Sequence, residues 1–408
     1  MVLLRLENFF QPKYTLLFIY MRRFLLMIIG MLGVVSLWAT SLDSVRISLL
    51  TCAPGTEIYA LFGHSAIRYE NPSQKQDWVF NYGMFSFSEP NFVYRFVKGE
   101  TDYQLGVVPF KYFEAEYAMR GSSVYQQVLN LTDAEKVKLI RLLEENYLPA
   151  NRVYRYNYFY DNCTTRARDK IEESIAGQVI YPDEEKPVTY RDIIHEFTAG
   201  SEWSEFGIDL CLGADADNRA DVRGQMFSPF YMKAFASGAM IHRADTIVPF
   251  IKEEFKVVDA TQDEEDGFFM SPMSCAIALL MISCIVVCCG VRRGWIPWMW
   301  DAVIFGLQGL GGVIVAFLFF FSIHPTVGSN WLVVMFNPIP LFYLPVMIYK
   351  GVKGKKDLYH WLNVIALTSF MILMPFVGQK FNLTVLPLAL SLWITSIGHL
   401  YIYNRKHL

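Results

Sequence analysis

The sequence predicts an α+β fold: an exported domain built on a small antiparallel sheet plus helices, followed by a membrane domain of five transmembrane helices. Three observations predict it. Of 408 residues, 53% are hydrophobic and 16% aromatic while only 18% are charged, a balance that belongs to a membrane protein carrying a soluble part. The apolar residues are concentrated late in the chain: residues 42–265 have mixed polarity and no long apolar run, whereas residues 266–408 hold five apolar stretches near membrane-crossing length. Basic residues favour alternate loops between those stretches, which gives the chain a direction. The net charge of −3 argues for no particular partner, and no basic footprint of a nucleic-acid binder is present.

At the N-terminus, Arg22 and Arg23 precede the apolar stretch Phe24 to Leu37, and small residues follow at Ala39 and Ser41. Residues 1–41 read as a secretory signal peptide, with Met21 as its start, or as an uncleaved anchor; either one exports the chain beyond it. Residues 42–265 are long enough for a core of their own. Within them Val45 to Leu50, the alternating His64 to Tyr69, and Trp78 to Tyr82, which ends at Gly83, read as strands. Thr132-Asp-Ala-Glu135 opens an amphipathic helix with a capping box, and Pro149 closes that segment. A second helix begins after Asp161-Asn162, both good N-caps, which seats Cys163 in its first turn. The acidic run Asp263-Glu-Glu-Asp266 then separates this domain from spans at 273–290, 302–323, 331–349, 361–377 and 383–403.

Short-loop charge orients the spans. Arg292, Arg293, Lys350, Lys353, Lys355, Lys356, Arg405 and Lys406 fall on one side, and the opposite loops hold only Lys380. The C-terminus is therefore cytoplasmic, and an odd number of spans leaves residues 42–265 outside, in agreement with the N-terminal signal. Cys275, Cys284, Cys288 and Cys289 lie in the first span and read as packing material. Cys52, Cys163 and Cys211 are exported, where a disulfide between two of them is permitted and one thiol is left over. Cys52 does not suit a lipid-attachment site, because Thr51 precedes it and the apolar signal lies well upstream.

A thiol at a helix N-terminus has chemical meaning. The thiolate is the nucleophile, and unpaired backbone N–H groups with the helix dipole lower a thiol's pKa. A histidine in reach supplies a general base or an imidazolium partner, and His64 stands 99 residues upstream of Cys163. Spacing leaves the pair open against a buried structural cysteine, a disulfide partner of Cys52 or Cys211, and a satisfied core histidine. The polar capping residues beside Cys163 and the position of His64 after Gly63 favour the reactive pair. Asp215, Asp217, Asn218 and Asp221 lack the spacing of a calcium loop, the scattered histidines lack zinc spacing, and no metal or cofactor is expected.

Gly63-His64-Ser65, the strand end Asn81-Tyr82-Gly83 and the run Asp161-Asn162-Cys163-Thr164-Thr165-Arg166 resemble the periplasmic domain of the Bacteroidota-type, Lnb-like lipoprotein N-acyltransferases. That family is similar in turn to the circularly permuted papain-like thiol hydrolases, in which histidine comes first, a polar orienting residue follows on the next strand and cysteine comes last at a helix start. The resemblance covers the exported domain and extends to the five spans. It implies Cys163 as nucleophile, His64 as base and Asn81 as the orienting residue; Asn81 is also readable as a plain strand-end residue, and His195 and His242 as structural or surface residues. It further implies that the thiol takes an acyl chain from a membrane phospholipid, as a thioester, and passes it to the α-amino group of a diacylglyceryl-cysteine lipoprotein at the inner membrane. The backbone N–H of Cys163 or Thr164 is the natural oxyanion donor. Asn162, Thr164 and Arg166 beside the thiol, with His324 and Asn330 in an outward loop, are the residues expected to contact substrate, although Arg166 also suits an ion pair with Asp161 or Asp169. The aromatic segment Phe85 to Tyr103 suits an acyl groove, an interfacial patch or an ordinary packed hairpin. Two other functions fit the same residues: a membrane-anchored cysteine peptidase or amidase acting on peptidoglycan, and a non-catalytic lipid-binding scaffold.

Overall fold

In a computed structural model the described residues are 42, 44–88, 90–261 and 270–407. The predicted signal peptide or anchor at 1–41 and the acidic run 263–266 lie outside them. The exported part is built on a seven-stranded sheet. Its first strands are β1 (Arg46–Cys52), β2 (His64–Asn71) and β3 (Gln76–Met84), followed by helix α1 (Phe92–Lys98), β4 (Asp102–Pro109), α2 (Phe110–Met119) and β5 (Val124–Leu129). Then come α3 (Asp133–Tyr147), β6 (Val153–Arg155) and α4 (Cys163–Ser174). After the short β7 (Gln178–Ile180) and β8 (Val188–Thr189), α5 (Tyr190–Thr198) and α6 (Glu202–Cys211) lead through β9 (Arg219–Ala220), α7 (Val222–Gln225) and α8 (Pro229–Gly238) to β10 (Met240–His242), β11 (Ile247–Pro249) and β12 (Ile251–Val258).

The sheet order is β12-β5-β1-β2-β3-β4-β6, antiparallel throughout. The expected strands are present, and the sheet is larger than three strands suggest. Its centre is buried on both faces: nearly every residue of β1 and β2 is inaccessible, polar ones such as Ser48, Ser65, Arg68 and Glu70 included, so the alternation of β2 does not mark a solvated face. Phe110, Phe113 and Tyr117 of α2 pack with Leu50, Cys52, Ala66 and Val79 on one face. Edge strand β12 carries Lys252, Glu253, Glu254 and Lys256, mostly exposed, the charged side chains that discourage edge-to-edge pairing. The capping box at α3 is complete, with Thr132 accepting from the Glu135 N–H and Glu135 accepting from the Thr132 N–H.

The membrane part comprises α9 (Pro272–Arg293), α10 (Trp298–Phe321), the single turn α11 (Leu332–Met335), α12 (Ile339–Val352), α13 (Leu358–Leu373) and α14 (Val385–His407). Among the described residues four spans are long and apolar enough to cross a membrane, with α11 and α12 counted together; α13 has 16 residues and falls short of that length. The difference from the expected 361–377 span arises because a turn replaces helix after Leu373. The third span is broken at 336–338, before α12. Gly309 and Gly312 of α10 make room for it: a Cβ on Gly312 would run into the Asn337 backbone, and one on Gly309 into Leu341. Within the bundle, Gln308 bonds Asn363 and the Met335 carbonyl, and Asn363 bonds Ser396, each at 2.9 or 3.0 Å. Buried amides of this kind are satisfied internally because lipid offers no partner.

Residues Val45–Leu408 form one unit, and a polar network joins its exported and membrane parts. Arg191, fully buried, donates to Asp209 at 2.6 Å and to Asp217 at 2.9 and 3.1 Å. From the membrane side, Lys380 reaches Asp192 at 2.7 Å, and its N–H bonds Asp217 at 3.0 Å. Asn382 donates to Asp209, Gln379 to the Leu212 carbonyl and Asn330 to the Leu210 carbonyl, at 3.1, 3.1 and 2.8 Å. The acidic turn at 215–221 therefore serves docking: Asp217 is held by Arg191, and Asp221 caps α7.

Candidate functional site

Helix α4 begins against the β2 and β3 region of the sheet, and the residues before it explain why it begins there. Asn157 and Asp161 form a tight reciprocal bridge, N–H to O at 3.0 Å both ways. Asn162 then caps the helix: its Oδ1 accepts from the N–H groups of Thr164 and Thr165 at 2.8 and 3.0 Å, while its Nδ2 donates to the carbonyls of Tyr158 and Phe227. A cap of this type contributes about 1 kcal/mol. Every polar atom of the Asn162 side chain is thus engaged in holding the helix start, and the Thr164 N–H, one of the two expected oxyanion donors, is engaged with it. Thr164 is fully buried and its hydroxyl donates to Ser65 Oγ at 3.1 Å. Both residues, expected as substrate contacts, have these side-chain groups engaged with protein at the helix start.

The same helix start brings Cys163 to His64. The thiol is hydrogen-bonded with the imidazole and with the backbone N–H of Ser65. On the adjoining strand, Asn81 Oδ1 lies 2.6 Å from His64 Nε2; an amide oxygen only accepts, so Nε2 carries the proton. Asn81 is set by a bulge: between Asn81 and Met84, β3 slips against β4, and Gly83 within it adopts a φ of 84°, a left-handed conformation that favours glycine. That turn lays Gly83 beside the Cys163 Cβ and the His64 ring. Tyr117 stacks behind the imidazole with ring centroids 6.5 Å apart.

The electrostatics separate the three exported cysteines. Burial pushes the Cys163 thiol up, but the charge of His64, its hydrogen bond and the Ser65 N–H outweigh burial and bring the group from 9.0 to about 7. Burial likewise works against a charged His64, yet the Cys163 sulfur and the hydrogen bonds from Cys163 and Asn81 raise it. Cys52 sits opposite His64 in the β1–β2 register and is buried, which raises its thiol well above the usual range; burial lifts Cys211 to about 11. All seven cysteines are free, so the permitted disulfide is not formed. Buried thiols with raised pKa are inert, and a lowered, partly accessible one is reactive.

Around the sulfur stand tyrosines that spacing along the chain does not reveal. Tyr103, Tyr154, Tyr156 and Tyr158 are each raised first by burial and next by the Cys163 charge. The Tyr158 hydroxyl is buried and has no hydrogen-bond partner among the described residues. Tyr158 heads the Tyr158-Phe-Tyr-Asp-Asn-Cys163 run, but nothing in a single sequence says that the fold buries it within the field of the thiol.

Arg166 lies one turn into α4 and pairs with Asp161, at 2.5 and 2.7 Å, with its guanidinium 3.6 Å from the Tyr154 ring centroid; its donors are directed to protein. His324 bonds the Phe96 carbonyl at 2.6 Å, and the Asn330 amide is divided between Leu210, Leu332 and Gln379. These two residues, expected to contact a head group, join the membrane part to the exported part. His195 bonds Asp209 at 2.9 and 3.1 Å, and His242 sits exposed in β10. One group with metal-ligand geometry occurs among the described residues, His195, Glu205 and Asp209; Arg191 already neutralises Asp209 at 2.6 Å, a poor setting for a cation.

Fold and site together define a multi-pass inner-membrane protein whose periplasmic α+β domain holds a cysteine, a histidine and an asparagine in one constellation. The model of the Lnb N-terminal periplasmic domain matches residues 37–196, and that of the Lnb transmembrane domain matches residues 263–407. The chain belongs to the Lnb family, whose domains point to a lipoprotein-modifying membrane enzyme. No curated protein and no solved structure matches it.

Proposed function

We propose that the protein is a lipoprotein N-acyltransferase that works through a thioester on Cys163. The observation that carries this reading is the placement of a lowered thiol against His64, with Asn81 on the other imidazole nitrogen, in a domain docked onto membrane helices. With Nε2 donating to Asn81, Nδ1 is the nitrogen able to take the thiol proton. The thiolate attacks an ester carbonyl of a phospholipid; the C–O bond breaks, His64 returns its proton to the departing alkoxide, and a lysophospholipid leaves. The α-amino nitrogen of a diacylglyceryl-cysteine lipoprotein then attacks the thioester carbonyl, His64 takes a proton from it, the C–S bond breaks and the thiolate is restored.

Both steps pass through an oxyanion. With the Thr164 N–H engaged by Asn162, the backbone donor at the helix start is the Cys163 N–H, and the buried Tyr158 hydroxyl is the second. The permuted papain-like order of histidine, orienting amide and cysteine is part of the same proposal. So is a fifth crossing by α13, which supplies the odd number of spans that the loop charges require. In support, α13 starts at Asp357, near the Lys350 and Tyr343 cluster, and is followed by Gln379 and Lys380, which bond the exported domain.

The test is to incubate the full chain with phospholipid and no acceptor, and to look for an acyl mass on the Cys163 peptide that hydroxylamine removes. A stable adduct in wild type and none in Cys163→Ser supports the reading. A Cys163 peptide that stays unmodified with any phospholipid overturns it.

A further inference from the structure

Helix α1 is seated on the exported end of α10. Ser322 Oγ donates to the Val97 carbonyl at 2.8 Å, the Ile323 N–H to the Lys98 carbonyl at 2.9 Å, and His324 bonds the Phe96 carbonyl at 2.6 Å. Gly99 permits this contact, since a Cβ there would press on Ile323 and the His324 backbone. The ring of Tyr94 meets that of Phe317 with centroids 5.9 Å apart. The helix therefore lies at the level where α10 leaves the membrane, and Phe320, Phe321 and Ile323 below it are exposed apolar residues. Its own outer face is of the same kind: Val93 is 72% exposed and Tyr94 55%, and Phe87, just before the helix, 61%. In a water-facing domain so large an apolar patch marks an interaction surface.

From this patch a continuous run of rings leads inward. Phe96 stacks on Phe92 at 6.1 Å, Phe92 on Phe85 at 5.5 Å, Phe85 on Tyr103 at 4.9 Å and Tyr103 on Tyr156 at 4.2 Å. Phe87 flanks the run, 5.0 Å from both Phe85 and Phe92. At its inner end Tyr103 and Tyr156 are in the field of the Cys163 sulfur. Phe92 and Tyr103 in the middle of the row are buried, whereas Phe96 and Phe87 at its outer end stay exposed beside the apolar end of a membrane helix; the inner end lies within the field of the thiol.

We propose that this aromatic run is a lateral portal, along which an acyl chain of an outer-leaflet phospholipid leaves the bilayer beside the exported end of α10 and reaches Cys163. The occupant is an acyl chain because the surface is continuous with a membrane-exposed helix end, and because its outer part, Phe85, Phe87, Phe92 and Phe96, offers apolar contact with no group that would select a polar ligand. The inference rests on the acyl-transfer reading for its purpose, but its test does not.

The full chain is reconstituted in nanodiscs of phosphatidylethanolamine and phosphatidylglycerol, doped with a phospholipid bearing a diazirine near the end of one acyl chain. After irradiation the modified peptides are mapped. The proposal expects crosslinks within residues 85–103, reduced several-fold in Phe87→Glu and in Val93→Glu and retained in Phe87→Leu, with alkylation of Cys163 unchanged as a check on the fold. Crosslinks confined to the membrane helices, or unaffected by either glutamate, overturn it. Crosslinks along 85–103 in a protein that never forms an acyl-cysteine uphold the portal and remove the acyltransferase reading instead.

Discussion

Replacing His64 with alanine isolates what the imidazole does for the thiol. In wild type the Cys163 thiol stands near 7 because the charge and hydrogen bond of His64 outweigh burial. At pH 7 about half the protein then carries a thiolate. Without His64 the group returns to 9.0 or higher, since burial is opposed chiefly by the Ser65 N–H, and roughly 1% is ionised at pH 7. The loss of thiolate is thus about 50-fold. Against this, a thiolate of higher pKa is the better nucleophile, by roughly 6- to 10-fold over two pH units at a Brønsted slope of about 0.4–0.5. The net expectation is alkylation of Cys163 by iodoacetamide about 5- to 8-fold slower at pH 7. The inflection moves up by about two pH units, and the two profiles cross near pH 8, where roughly a tenth of the more nucleophilic mutant thiol is ionised. The assay follows the Cys163 peptide by mass spectrometry with isotopically distinct reagents, so that the other six cysteines do not interfere. A His64→Ala profile that keeps its inflection near 7, or a wild-type inflection near 9, would refute the ion-pair argument.

Three further outcomes are expected from named contacts. Asn81→Ala should lower kcat about 10- to 100-fold, and Asn81→Asp, which keeps an acceptor for Nε2–H, should recover part of it; equal losses in both would mean that Asn81 only packs. Tyr158→Phe should cost about 10²- to 10³-fold in kcat while leaving the pH profile of Cys163 alkylation in place, and full activity would remove its hydroxyl from the oxyanion site. At the docking interface, His195 is raised through its hydrogen bond to Asp209. A raised histidine stabilises the fold fully below its unfolded pKa of about 6.5 and ceases to do so as pH rises through the folded value. Thermal shifts of the full chain should fall as pH rises above about 6.5, and His195→Gln should flatten that fall; an unchanged slope would show that the pair contributes nothing.

The parts of the fold that were legible in the sequence are those governed by local chemistry. The capping box at Thr132 and Glu135 and the Asp161-Asn162 cap fixed two helix starts, and with the second the position of Cys163. Strands β1 to β3 were legible from their alternation and β-forming residues ending at Gly83. Strand β5 carries a weaker signal, because Gln126 and Gln127 at its centre are polar. Both are buried, with Gln126 bonding Ser48 and Glu70 and Gln127 bonding Glu254 and the Lys233 carbonyl. Such partners lie far off in sequence. The same reason hid the tyrosines around the thiol and the partners of Asn330 and His324, because polar residues in an outward loop look available until the surface they dock on is known. Arg166 was ambiguous by composition, and a neighbouring carboxylate decided it.

The central claim concerns transfer, not just thiol reactivity. It is tested most directly by supplying the full chain with phospholipid and a synthetic diacylated lipopeptide and weighing the peptide by mass spectrometry. The account predicts one added acyl chain on the α-amino group with wild type and none with Cys163→Ser, together with stoichiometric lysophospholipid. A lipopeptide left unchanged by wild type while muropeptides are cleaved would contradict it and make the protein a wall amidase.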